Sequence, residues 1–202
     1  MAVADTSGLR ARTREALKES LAETAIELFD ERGYDQVTVN DIATAAEIST
    51  RSFFRYFPSK EDVVFGSRIP TAEKVREAFV AKLGDTDIWS ALHATFREGS
   101  IWMEEDAASW KRIMRVITHT GELRAKNLEK HLAWSAALSP EVARRLEAHD
   151  DTADLEARAV VSAALGCFEV ALSQWADSED ARPLPEIIDR VFAFIRIRPP
   201  LD

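Results

Sequence analysis

Thr38–Asp62, TVNDIATAAEISTRSFFRYFPSKED, holds three helix starts in one short stretch. Thr38-x-x-Asp41 has the form of a capping box, and Ser49 is placed to cap a second short helix. Ser59-x-x-Asp62 repeats the box for a third. Only Ala46-Glu47 is left as loop between the first two. Two short helices joined by a tight turn, the second rich in small polar, basic and aromatic side chains, read as a DNA-binding helix-turn-helix.

Upstream, Leu17, Leu21, Ala25, Leu28 and Phe29 lie on one helical stripe, which predicts a helix over about 13–32 ended by Gly33 as the residue past its last turn. Residues 1–12 read as a flexible basic arm. Helices over about 39–45 and 50–57 follow, with Ile42, Ala43, Phe53 and Phe57 turned inward to close a small core. A fourth helix starts at Lys60. Pro70 lacks an amide and crowds the carbonyl of Gly66, so a kink or restart is expected near Ile69–Thr71 with helix continuing to Lys82. Beyond Gly84 the period stays helical over about 87–105, 107–119, 122–137, a short piece begun by Pro140, 152–177 and 185–197. No strand-like alternation longer than about four residues interrupts it. The chain reads as all-α with about nine helices. An N-terminal three-helix helix-turn-helix domain (13–64) precedes a larger helical domain (65–202).

Composition narrows the function classes. The 202 residues are 46% hydrophobic and include seven glycines and seven prolines, and no apolar run is long enough to span a bilayer. The N-terminus has no apolar core or cleavage pattern. The single cysteine, Cys167, has no internal disulfide partner, and no Cys/His spacing suits zinc. A cytoplasmic protein without metal or cofactor is the expectation. Net charge is −9, the wrong sign for non-specific nucleic-acid affinity, and residues 1–64 alone carry eight Lys/Arg against twelve Asp/Glu, 8 − 12 = −4. DNA binding therefore has to rest on where charges sit. Arg51, Arg55 and Lys60 fall in the second half of the opening stretch, whereas the acids concentrate between Glu15 and Glu31 on the first helix. A basic face on an acidic protein, with strongly salt-dependent binding, is predicted.

Residue types and spacings across the first three helices resemble the DNA-binding domain of the TetR family of one-component transcriptional regulators. The matching residues are Leu28-Phe29, Gly33-Tyr34, Thr38-Val39-x-x-Ile42-Ala43-x-x-Ala46, Ser49, and Phe53-Phe54-Arg55-Tyr56-Phe57-Pro58-Ser59-Lys60-Glu61. The match covers roughly 13–64; the remainder agrees in helix count and order. Two positions depart from the family pattern. Glu47 stands where glycine is usual in the turn, at a strain of about 1–2 kcal/mol if the backbone there is left-handed. Phe54 replaces a common tyrosine and leaves only apolar contact.

Recognition helices meet base edges with their N-terminal residues, here Thr50, Arg51 and Ser52. Arg51 suits the two acceptors of guanine, O6 and N7, a pairing that discriminates by about 1–3 kcal/mol; the alternative is contact with phosphate or solvent only. By the resemblance, Phe54, Arg55 and Tyr56 lie against sugar-phosphate. Thr38 and Ser49 cap helices whose free amides face the same backbone. Lys60 is unusual at a helix N-terminus, where a bound phosphate would explain it. Arg10, Arg12 and Arg14 are candidates for an adjacent minor groove, or a solvated tail.

In the second domain, Phe96, Trp102, Met103, Trp110, Met114, Ile117 and Trp134, with Phe168 on the penultimate helix, form an aromatic and methionine set. It is plain core unless, as the resemblance implies, this region holds an effector. Such an effector would be largely apolar, with an acidic or acyl portion as one option, and His93, Arg97, His119 and His131 as polar anchors. Helices 152–177 and 185–197 carry broad apolar surfaces that the resemblance assigns to a homodimer, fitting a two-fold reader of a palindromic operator. No nucleophile elbow, P-loop, HExxH or GxGxxG supports catalysis. The expectation is a ligand-responsive, homodimeric DNA-binding repressor and not an enzyme. The alternative is a dimeric all-α small-molecule-binding protein or enzyme whose helix-turn-helix is only structural.

Overall fold

The computed structural model describes residues 6–66, 68–146, 152–178 and 182–197. Among these the chain is α-helical, with one 3-10 turn and no strand. It divides into two compact units, residues 1–69 and 70–202.

The first unit holds α1 (Thr6–Arg32), a 3-10 turn (Tyr34–Gln36), α2 (Val39–Ala45), α3 (Thr50–Tyr56) and α4 (Glu61–Phe65). Leu21, Ala25, Ile26, Leu28 and Phe29 of α1 bury their side chains against Ile42, Ala43, Phe53, Phe57, Val63 and Val64. Phe53 and Phe57 pack with ring centroids 5.8 Å apart, and Phe29 meets Tyr34 at 4.9 Å. Gly33 ends α1 at φ 84°, donating its N–H to the Phe29 carbonyl at 3.0 Å, a conformation that costs glycine little.

Three expectations are corrected. Residues 6–12 are not an arm but the first turns of α1, because Leu, Arg and Ala around them favour helix and no proline interrupts; residues 1–5 lie outside the described residues. Leu17 is exposed, standing beyond the reach of the core at the rim of a shallow cleft shared with Ala46 and Ile48. The division between units falls at 69/70 instead of 64/65, since α4 packs on α1.

The second unit holds α5 (Ala72–Leu83), α6 (Ile88–Glu104), α7 (Ala107–His119), α8 (Gly121–Arg145), α9 (Ala153–Asp177) and α10 (Leu184–Ile197). The restart after Pro70 is present: the Thr71 hydroxyl accepts the Lys74 N–H and begins α5. Asp87 caps α6 in the same way through Ser90. The Ser90 hydroxyl and then its backbone N–H, with Arg196 close by, hold the Asp87 carboxyl below the usual carboxylate range. α9 packs against α6, α7, α8 and α10, while α5 closes one side on α6 and α8.

Pro140 does not begin a separate piece; it sits inside α8, which runs on to Arg145. Trp134, Leu138 and Val142 form a buried stripe at four-residue spacing that spans the proline. Burying Leu138 and Val142 on either side of Pro140 offsets the proline's cost of about 3 kcal/mol. With α4 separate from α5, the described residues hold ten α-helices besides the 3-10 turn, one more than the expected nine.

Candidate nucleic-acid interface

The connection between α2 and α3 is built from backbone hydrogen bonds. Ile48 N–H reaches back to the Ala43 carbonyl at 2.9 Å, and Glu47 N–H to that of Thr44 at 3.1 Å. This nested pair is a Schellman closure, and it puts the residue past the cap in the left-handed region. That residue is Glu47, at φ 54°, the one positive-φ non-glycine among the described residues. The expected strain is therefore present. A Glu47→Gly protein should gain up to about 1 kcal/mol in stability, the relief of about 1–2 kcal/mol being partly offset by glycine's freer unfolded chain. Thermal unfolding with unchanged helical content checks this; a lowered melting temperature would contradict it.

Side-chain caps then fix both helix starts. Thr38 Oγ1 accepts the Asp41 N–H at 3.2 Å while Asp41 Oδ2 accepts the Thr38 N–H at 2.8 Å, completing the box. The Thr38 hydroxyl and amide together hold the Asp41 carboxyl below the usual range. Ser49 Oγ accepts the Ser52 N–H at 3.1 Å, and the two hydroxyls lie 3.0 Å apart.

On α3 the two faces separate. Phe53 and Phe57 are buried behind, whereas Thr50, Arg51, Phe54 and Arg55 are exposed in front. Phe54 is 54% exposed, an unusual cost for a phenylalanine on a helix of about two turns. Arg55 stacks on Tyr56, guanidinium carbon 5.1 Å from the ring centroid, and donates to its hydroxyl at 3.0 Å, so the two move as one group. Ser52 and Tyr56 are half-buried at the edge of this face. Arg12 and Arg14 are exposed on α1; the Arg10 side chain lies outside the described residues.

Lys60 differs from expectation. Its ammonium points back into the unit, donating to the Tyr34 carbonyl at 2.9 Å and the Val37 carbonyl at 3.1 Å, over the Tyr34 ring at 3.8 Å. The anomaly of a cation at a helix N-terminus is resolved by carbonyls of the 3-10 turn, not by a phosphate. Lys60→Met should lower stability by about 1–2 kcal/mol and leave the slope of operator affinity against salt unchanged. A slope smaller by about one ion per copy would restore the phosphate role.

The aromatic and methionine set of the second unit divides. Phe96, Trp134 and Phe168 form one cluster: Phe96 stacks on Phe168 at 4.8 Å, and Trp134 lies 6.5 and 6.4 Å from them. Met103, Trp110, Met114 and Ile117 are buried, but Trp102 is 46% exposed, its ring set edge-on to Trp110 at 5.1 Å. Trp102 is thus a surface residue, because it falls on the outer side of α6. Trp134 has a second role: its indole N–H donates to the carbonyl of Pro70, the first residue of this unit, at 3.2 Å. Among the polar anchors, His93 and Arg97 are both committed to Asp189, at 2.7 and 3.0 Å. His119 is exposed, and only His131 stands beside the cluster, 5.5 Å from Trp134.

α9 and α10 turn Ala164, Cys167, Phe168, Ala171, Leu172, Trp175, Ile187, Ile188 and Phe192 into their own unit. The opposite face of α9 exposes Leu155, Ala159, Ala163, Gly166 and Val170 at helical spacing, and α10 adds Phe194 and Ile195. Among the described residues no helix is long and apolar enough to cross a membrane, and no group of three or more His, Cys, Asp or Glu is placed to hold a metal.

Residues 21–65 match the model of bacterial regulatory proteins, tetR family, and residues 86–199 that of the MftR C-terminal domain. A protein named as a mycofactocin biosynthesis transcriptional regulator, MftR of Mycobacterium tuberculosis, is 29% identical over 83% of this chain and 84% of its own. The HTH-type transcriptional regulator TcmR of Streptomyces glaucescens is 31% identical over 83% of this chain and 76% of its own. Among solved structures, Thermus thermophilus FadR in complex with lauroyl-CoA superposes with TM-score 0.53 at 21% identity, over 92% of this chain and 98% of that one.

Proposed function

The chain belongs to the TetR family of bacterial regulatory proteins and is a DNA-binding transcriptional regulator; from that premise we propose that it is a cytoplasmic, homodimeric repressor released from a palindromic operator by a largely apolar small molecule. The observation that carries the reading is α3, which exposes Thr50, Arg51, Phe54 and Arg55 while Phe53 and Phe57 fasten it from behind. Thr50 and Arg51 meet base edges; Phe54 and the Arg55–Tyr56 pair position the helix on sugar-phosphate, and the amides capped by Thr38 and Ser49 face the same backbone. Ser52, with its hydroxyl at the Ser49 cap, contributes at the margin.

The exposed stripe of α9 with Phe194 and Ile195 supports pairing with a second copy, small residues at its centre allowing close helix approach. The Phe96–Trp134–Phe168 cluster supports an apolar effector, and its tie to Pro70 supplies a route by which occupancy alters the chain entering α5. Lauroyl-CoA, bound by the Thermus FadR of the same fold, is a reasonable first probe. Footprinting of the DNA flanking the coding region tests the proposal: two symmetric protected half-sites about one helical turn apart, lost on adding effector, are expected. No protection even at low salt would refute it.

A further inference from the structure

Asn127 and His131 stand four residues apart on α8, hence on one face, and both reach Glu169 of α9. Asn127 is only 5% exposed, and its Nδ2 donates to Glu169 Oε2 at 3.4 Å. His131, with a side chain 12% exposed, brings Nδ1 to 3.6 Å from the same oxygen. A carboxylate only accepts, so this contact fixes which end of the Asn127 amide faces it. The other end, Oδ1, is buried without a hydrogen-bond partner among the described residues, and so is His131 Nε2.

Burial, reinforced by the charge of neighbouring Lys130, holds the His131 imidazole neutral, its pKa down to about 4. Glu169 beside Nδ1 favours the proton on that nitrogen, which leaves a lone pair on Nε2. Two buried acceptors therefore remain with nothing among the described residues donating to them, a condition folded proteins rarely leave unanswered. The His131 ring abuts Trp134, and through it the Phe96–Phe168 stack. A polar end and an aromatic wall adjoin.

Resting on the effector-binding reading above, we propose that Asn127 Oδ1 and His131 Nε2, held by Glu169, form the polar end of the effector site and select an aromatic or comparably flat apolar ligand carrying uncharged hydrogen-bond donors, hydroxyl or amide N–H. A carboxylate or phosphate head would bring acceptors to acceptors beside Glu169, and the Lys130 ammonium over the Trp134 ring at 4.8 Å is already drawn to that carboxylate, so an acidic head finds no donor in Asn127 or His131.

Naphthol, methoxynaphthalene and naphthoate share one aromatic body and differ in this property. Titrated into the full-length protein, naphthol should bind at least about tenfold more tightly than methoxynaphthalene, with naphthoate weakest. Asn127→Leu, and independently His131→Phe, should shrink the naphthol preference to about twofold or less, the second variant guarding against a failure of the first to fold. Equal binding of naphthol and methoxynaphthalene, a preference that survives both substitutions, tightest binding of naphthoate, or no binding of any probe would each overturn the proposal. Operator binding, followed in parallel, separates the two readings. Release of DNA by all three probes alike removes the polar end but keeps an effector-responsive regulator, whereas a protein that binds no operator removes the functional reading itself.

Discussion

An Arg51→Ala protein is expected to lose specific operator affinity by about 30-fold or more while melting at the parent's temperature. Arg51 is exposed on the second residue of α3, and its side chain enters none of the contacts that build the core. Truncation should leave the fold untouched. A bidentate arginine–guanine contact discriminates by about 1–3 kcal/mol, and a two-fold dimer loses two of them. Anisotropy titrations at fixed salt, against operator and against scrambled duplex, provide the check. Specific affinity should collapse toward the non-specific value. Equal losses on both duplexes would demote Arg51 to a phosphate contact.

Gly166→Arg is expected to dissociate the proposed dimer and lower operator affinity by about a thousandfold or more, the gap between specific and non-specific binding. The choice of residue separates association from folding. A Cβ built on Gly166 meets nothing within 4 Å, so the single chain has room for a side chain there. Replacing a mid-helix glycine even favours α9 by roughly 0.5–1 kcal/mol. Gly166 lies between Ala163 and Val170 on the exposed stripe, where a partner helix would need to come close. Sedimentation should report monomers with full helical content. A dimer that persists would move the interface elsewhere.

The parts of the fold that could be read from residues alone are those decided within one turn of chain. Thr38 and Ser49 each cap a helix through an amide three residues ahead, and such local chemistry is visible as spacing. Gly33 and the left-handed Glu47 belong to the same class. What escaped was decided at a distance. Lys60 is an oddity by its position at a helix start, but its partners lie 26 and 23 residues upstream, at Tyr34 and Val37. Pro140 carries a breaker's local signal, yet helix continues because Leu138 and Val142 are buried by neighbouring helices.

The candidate site divides along the same line. α3 shows its front and back through Phe53 and Phe57. In the second unit, the set of large apolar residues gave no sign that Trp102 faces outward while Trp134 joins Phe96 and Phe168. Asn127 was passed over altogether, although its four-residue spacing to His131 was available; Glu169 joins them only through the packing of α8 on α9.

One indole serves two masters in this molecule. The Trp134 ring belongs to the wall a small molecule would touch, and its N–H restrains the carbonyl of Pro70. If occupancy weakens the hold on DNA by the 5- to 150-fold typical of such coupling, about 1–3 kcal/mol, then reciprocity requires DNA to weaken occupancy by the same factor. The promoter would thus help set the detection threshold: copies seated on it answer only to higher concentrations of the inducing compound than copies free in solution.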